Sequence, residues 1–491
     1  GIFYVLSFQI QNRRMKTALL TFLLLAWIPL LHAQTFEWAR SFGGTSVDLG
    51  QSICVDASGN TYILGGFIGT VDFDPGVGTT NLTSLGQRDV FVQKLDPSGN
   101  LLWARSFGGA ATDQGNSIFV DTFGNVYVTG IFYGTSDFDP GVGTFNLTSV
   151  GAADIFIQKM DASGNFLWAR SFGGTSFDDG KSISVDASGN VYTTGAFEGT
   201  VDFDPGAGIT NLTSSGGYDI FVQKMDSSGN FLWAKSFGGS GFDVAFSNSL
   251  DASGNIYITG IFEGMVDFDP GVGIFNLTSV GFQDVFVQKI DSSGNFLWAK
   301  SFGGSGLNLS IDISGNVYTT GAFNGTVDFD PGAGTFNLTS VGASDIFIQK
   351  MDSSGNFIWA RSFGGLMNEI AHSISLDAFG NVYSTGSFEG TADFDPGAGT
   401  FNLTSIGDRD VFIQKMDASG NFLWAKSFGG TASDVGHSVR VDTSNNIYIT
   451  GFFEGTVDFD PGVGIFNLTS LGDYDVFVHK MSQCVNSSGI D

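Results

Sequence analysis

Seven tryptophans, Trp38, Trp103, Trp168, Trp233, Trp298, Trp359 and Trp424, recur at 65-residue intervals broken by one interval of 61 residues, and each opens the string Trp-Ala-Arg/Lys-Ser-Phe-Gly-Gly. A fixed period of this kind is one supersecondary unit written repeatedly, because a unit that cannot bury its apolar face alone is covered by stacking copies. Within each period two turns of the form Asp-x-x-Gly-Asn, such as 56–60 and 96–100, separate alternating segments rich in Val, Ile, Phe and Tyr. These read as hairpins built on a type I turn followed by a residue of positive φ, which Gly supplies most cheaply and Asn next. In the last copy Asn445 stands in that place.

Each period therefore predicts four strands, for example A over 182–186, B over 190–197, C over 219–225 and D over 231–237. Four antiparallel strands make one propeller blade, so the expected fold is all-β, a seven-bladed β-propeller. A, B and C each occur seven times after residue 50, yet no D strand follows the last C strand at 475–481. Residues 36–42 form a D strand without a blade of its own. Pairing it beside 475–481 closes the ring and removes an edge that would otherwise invite aggregation.

The domain plan is then residues 1–33 as upstream residues and signal peptide, 34–481 as the propeller, and 482–491 as a tail or the start of a further module. Met15-Lys16-Thr17, an apolar run from Ala18 to Leu31 and the small Ala33 before Gln34 have the pattern of a secretory signal starting at Met15. That run is short of the about 20 apolar residues a spanning helix needs, so no membrane span is expected in the mature chain. A formal net charge of -28 and a pI near 4.1 oppose binding to nucleic-acid phosphates. Two cysteines among 491 residues exclude a disulfide framework. Cys54 reads as a buried thiol, with a bond to Cys484 as the alternative.

The string Asp-Ile/Val-Phe-Ile/Val-Gln-Lys-Met-Asp-x-Ser-Gly-Asn-Phe-Leu-Trp-Ala-Arg/Lys-Ser-Phe-Gly-Gly, followed by Ser-Ile-Ser-Val-Asp-x-x-Gly-Asn-Val-Tyr-x-Thr-Gly and Asp-Phe-Asp-Pro, resembles the bacterial β-propeller repeats known as SBBP repeats. The resemblance spans residues 36–481. It implies an exported protein, often beside adhesion-like modules, and implies no enzyme activity.

Function is then expected on the loops. With the strands alternating in direction, the short Asp-x-x-Gly-Asn turns emerge on one face and the B–C and D–A connections on the other. The B–C connection runs to about 20 residues, beyond ordinary loop length, and 70–84 can form a small hairpin around Asp-Pro-Gly. Its Asp-Phe-Asp-Pro-Gly segment supplies paired carboxylates at Asp72 and Asp74, Asp137 and Asp139, Asp202 and Asp204, Asp267 and Asp269, Asp328 and Asp330, Asp393 and Asp395, and Asp458 and Asp460. Oxygen ligands of this kind suit calcium, but a calcium site takes about six to eight oxygens, and Asp before Pro-Gly is also ordinary turn chemistry. A sequon such as Asn81-Leu82-Thr83 recurs in every copy and reads as a structural position. Lys94- and Arg105-type residues on strands C and D are expected to cover apolar stems or pair with aspartates.

An enzyme pocket in a ring of equal copies has to break the repeat. The departures are His372, His437, His479, Glu369, Arg88, Arg409, Arg440 and the shortened connection at 305–309. A histidine pair with Glu369 can hold a metal or exchange protons, although a core or solvated histidine is the commoner arrangement. The reading favoured by the near-identity of copies is a secreted or cell-surface, non-enzymatic binding and display scaffold, a ring complete as a monomer, whose partner is an extracellular protein or glycan. The alternatives are an extracellular polysaccharide hydrolase or lyase with its pocket at the sixth and seventh copies, and a structural spacer.

Overall fold

The computed structural model describes residues 34–483, and among these every regular element is a β-strand. The signal-like segment and Cys484 lie outside the described residues, and within them no helix is long and apolar enough to cross a membrane. The strands assemble into antiparallel units of four. One runs Asp179–Val185, Val191–Phe197, Asp219–Met225 and Phe231–Phe237, hydrogen-bonded in that order. Strands C and D begin and end where the alternation places them. Strand A starts earlier than the pattern suggests, because a bulge between Gly180 and Ser182 switches which side chains face the core.

The turns follow from their residues. Asp186 Oδ1 accepts the backbone N–H of Ser188 and Asn190, both at 2.9 Å, and Oδ2 accepts the Asn190 side-chain amide at 2.7 Å. Gly189 takes φ of 81°, and Asn445, with φ of 63°, is the non-glycine residue that adopts the same conformation in the last copy.

Strands B and C are buried along their whole length, as the middle strands of a unit must be. Each core cluster is shared by two consecutive units: Ile155, Ile157, Trp168 and Phe172 pack with Ile183, Val191, Phe197 and Phe221. Burial of such side chains contributes roughly 1.5–3 kcal/mol each, and no unit has that core by itself.

The first and last described strands meet in one sheet. Gln34–Phe42 pairs antiparallel with Asp475–Gln483, giving a four-stranded unit with Ile447–Phe453 and Val435–Val441. The contacts from this last unit to the first repeat those between neighbours in sequence. Trp38 Nε1 and Lys480 Nζ donate to Pro97 O at 3.1 and 3.0 Å, as Trp103 Nε1 and Lys94 Nζ donate to Ala162 O at 3.2 and 3.3 Å. Trp38, Phe42, Tyr448 and Val476 share one cluster with Ile53, Ile63 and Phe91. One junction differs: Phe296–Gly303 is followed by Ser305–Ile311 with Gly304 alone between them.

Candidate functional site

Two regions gather polar groups. The first is a cavity of about 660 Å³ whose wall is made by the first strand of every unit. Serine and asparagine side chains there tie one unit to the next: Ile183 N–H donates to Ser117 Oγ at 3.3 Å, Asn248 N–H to Ser182 Oγ at 3.1 Å, and Ile53 N–H to Ser438 Oγ at 3.3 Å. His372 and His437 lie on this wall with ring centroids 5.4 Å apart and rings nearly perpendicular. His437 Nδ1 is 2.9 Å from Gly50 O, and because a carbonyl only accepts, Nδ1 carries the proton. Burial, then the neighbouring His437, then the Arg409 charge push His372 down to about 3, and burial lowers His437 as well, so both rings are neutral at pH 7.

Glu369 does not join them. Its Oε2 accepts the Gly365 N–H at 2.9 Å inside the D–A turn, and it is absent from the cavity wall. Nor does His479, which stands where the other copies have glutamine. Gln223 Nε2 donates to Phe203 O at 2.6 Å, and His479 Nε2 reaches Phe459 O at 2.9 Å while its ring stacks on Phe428. Among the described residues no group of three or more His, Cys, Asp or Glu is arranged to hold a metal ion.

The second region is the face bearing the long B–C loops. Thr200–Asp202 and Asn211–Thr213 form the small hairpin. Asp202 Oδ1 accepts the N–H of Asp204 at 3.1 Å and of Thr210 at 2.8 Å, and Asp204 Oδ1 accepts that of Gly206 at 2.8 Å. The same bonds recur at Asp72 with Asp74 and at Asp458 with Asp460. The carboxylate pairs thus brace their own loops, each in its own copy, around a buried phenylalanine such as Phe203. The sequon threonines also serve the hairpin, Thr200 Oγ1 and Thr213 Oγ1 lying 2.8 Å apart. Lys94 Nζ sits 4.7 Å from the centre of the Tyr62 ring and Arg105 lies over Trp103. Cys54 is half-buried and unbridged.

Beneath these loops lie carboxyl pairs that the sequence reading did not single out. The turn acids Asp48, Asp113, Asp178, Asp243, Glu369 and Asp434 are buried close to a buried aspartate at the start of a strand C. A Cβ placed on Gly108 would meet Asp89 Oδ1 and Asp113 Oδ2 at 2.7 Å each, so the two carboxyl groups converge on one point. Asp89 Oδ1 has no hydrogen-bond partner among protein atoms. Burial, with the facing Asp113 adding to it, raises Asp89 to about 7, and burial raises Asp113 to about 6. A proton shared within the pair would satisfy the orphaned oxygen. The Asp/Glu alternation at position 369 was the available signal, but the pairing joins residues far apart in the repeat.

These features define an all-β repeat protein of propeller-like architecture, without helix among the described residues. Residues 102–138 match the family model described as Beta-propeller repeat. The chain is 25% identical to a WD repeat-containing protein of Acanthamoeba polyphaga mimivirus over 92% of this chain and 38% of that one. It is 27% identical to the regulatory protein FlaEY of Caulobacter vibrioides over 41% of this chain and 21% of that one. The chain therefore spans well under half the length of either relative. The WD40 β-propeller domain of Doa1 aligns over 92% of this chain and 97% of its own with a TM-score of 0.39 at 11% identity.

Proposed function

We propose that the four-stranded units close into a seven-bladed propeller and that this ring is a secreted or cell-surface, non-enzymatic binding and display scaffold. Closure is supported by the first-to-last contacts, which repeat those between units adjacent in sequence. Export rests on the basic, apolar and small-residue pattern of 15–33.

The observation that carries the binding role is the apolar crown of the long-loop face. Val77, Val142, Val272 and Val463 are exposed at the loop tips of four copies, where the other three carry alanine, and Ile209, Ile274 and Ile465 are exposed two residues further on in three copies. Exposed apolar side chains recurring at equivalent loop positions suit a partner gripped at several points. The two neutral histidines, without a carboxylate between them, offer no acid–base pair. The partner is an extracellular protein or glycan, and calcium held weakly by the Asp-Phe-Asp-Pro-Gly loops would stiffen this face.

The test is a glycan and matrix-protein binding array probed with the full chain. A reproducible hit that is lost on replacing the four tip valines by serine is expected. Polysaccharide turnover that disappears in His372→Ala would overturn the non-enzymatic reading.

A further inference from the structure

Gly86, Gly151, Gly216, Gly342, Gly407 and Gly472 occupy one position of the B–C connection. A Cβ on any of them would strike the backbone of the next D–A turn at 2.2 to 2.5 Å. That turn lies as a lid over each of these six junctions. At four of the six its acid, Asp48, Asp178, Asp243 or Asp434, is held in the same way: Asp48 N–H donates to Tyr474 O at 2.8 Å, and Asp48 Oδ1 accepts the Ile68 N–H at 3.0 Å. Asp178 and Asp243 repeat this with Ala153 O and the Glu198 N–H, and with Tyr218 O and the Glu263 N–H.

At the junction of the fourth and fifth units the lid is missing. Gly239-Ser240-Gly241-Phe242-Asp243 has as its counterpart the single residue Gly304, which spans the gap with φ of +117°. Gly281, the sister of those six glycines, has nothing within 4 Å of its Cβ position. Val280 is 93% exposed, against 67–73% for Leu85, Val150, Val341, Ile406 and Leu471, and Phe282 beside it is 82% exposed. The vacated space is a cleft of about 840 Å³ that also reaches Asn324, Asp328 and Pro331. No turn acid faces the Asn324 N–H, and no turn N–H faces Gln283 O.

We infer that this cleft receives a turn from a partner protein: a glycine-rich segment ending in an aspartate, which supplies in trans the lid that the other six junctions carry in cis. This rests on the scaffold reading and names where and how one partner is held. The six sister junctions define the chemistry of the fit. The partner's carboxylate accepts from Asn324 N–H, its backbone N–H donates to Gln283 O, its backbone crosses Gly281 as the turns at Ala110, Thr175 and Ser240 cross the sister glycines, and Phe282 and Val280 are covered. One such site per ring fixes the orientation of the partner, which seven equal loops cannot do.

The probe is a cyclic peptide carrying Gly-Gly-Ser-Gly-Phe-Asp, the turn at 238–243, titrated calorimetrically into the full chain. Binding in the micromolar to millimolar range is expected. Inserting Ser-Gly-Phe-Asp between Gly304 and Ser305, which rebuilds the lid, should weaken it at least tenfold. Gly281→Leu, which fills the cleft from a position with free space, should do the same without altering chain length. The peptide with asparagine for aspartate should bind at least threefold more weakly. Equal binding to the native and lid-restored chains, or no heat at millimolar peptide, overturns the inference. The array experiment run with both chains separates the two proposals: a hit that survives lid restoration leaves the scaffold and removes the cleft, whereas peptide binding without any array hit removes only the apolar crown as the recognition surface.

Discussion

The short-turn face and the buried layer beneath the long loops use the same side chain to opposite ends. On the short-turn face aspartate is a hydrogen-bond hub: the Asp186 carboxylate takes two backbone N–H groups, the Asn190 amide and the Tyr192 hydroxyl, and those bonds outweigh its desolvation and hold its pKa below the usual carboxylate range. Beneath the long loops Asp154 and Asp410 are raised to about 6 because burial outweighs the few N–H groups that reach them. Position in the repeat, and not residue type, decides whether a carboxyl group works as an anion or as an acid.

The most severe test strikes both faces together. Deleting residues 34–43 removes the Trp38 and Arg40 bonds to the Pro97–Gly99 turn on one face and, on the other, Gly43, which lies against the Asp475 carboxyl group. It also leaves Asp475–Gln483 as an open edge. Aggregation, or a melting temperature lower by about 10 °C or more, is expected by light scattering and calorimetry. An unchanged monomer would show that the ends do not hold the structure.

A matched pair of substitutions sharpens the contrast. Asp186→Ala strips several charge-assisted bonds and should cost about 2 kcal/mol in urea unfolding at pH 7.5. Asp154→Asn replaces an acid that is costly to ionise by a neutral isostere able to keep the Val150 N–H bond, and should be neutral or stabilising at the same pH. Equal destabilisation by both would erase the distinction between the two regions.

Titration reads the same difference with opposite signs. A carboxyl group whose folded pKa is raised favours folding fully below its unfolded value near 3.8, and that contribution is lost as pH climbs to its folded value of about 6 to 7. A lowered group such as Asp186 contributes above 3.8 and loses its contribution as pH falls through its folded value. The melting temperature should therefore decline by several degrees from pH 5 to pH 8 and collapse below about pH 4, and Asp154→Asn with Asp410→Asn should flatten the upper slope. A curve rising from pH 5 to pH 8 would contradict the burial of these acids.

Calcium gives the smallest expected effect. Millimolar ion against a millimolar dissociation constant contributes about 0.4 kcal/mol per occupied loop, a rise of a degree or two that Asp202→Asn with Asp204→Asn should reduce. Identical melting in calcium, magnesium and chelator, with no calorimetric uptake, would leave these aspartates as turn formers.

Much of this was readable from residues alone. The alternation located strands C and D of the third unit to the residue and the closing pair 36–42 and 475–481 to within two, and Asp-x-x-Gly-Asn specified its turns because only Gly or Asn accepts the required φ at low cost. The start of strand A was hidden by the Gly180/Ser182 bulge, since one extra residue shifts a period-two pattern without leaving a mark in composition. The carboxyl pairs were hidden because their members come from a turn and a strand some two dozen residues apart, as with Asp89 and Asp113. Likewise the 61-residue interval announced a deletion but not that it uncovers Gly281. Glu369 and His372 are neighbours in sequence, yet one is bonded within a turn and the other lies on the cavity wall.

The pairing of Gln34–Phe42 with Asp475–Gln483 has a consequence in time. Ser482 Oγ donates to Glu37 across a separation of 445 residues, so the first strand of the repeat to leave the ribosome finds its partner only when the last has been made. At about 5–20 residues per second that interval is tens of seconds, during which Trp38 and Phe42 have the first unit's Ile53, Ile63 and Phe91 to pack against but lack Tyr448, Val476 and Val478. A chaperone that shields one short amphipathic strand over that wait would govern yield more strongly than one acting on any interior copy.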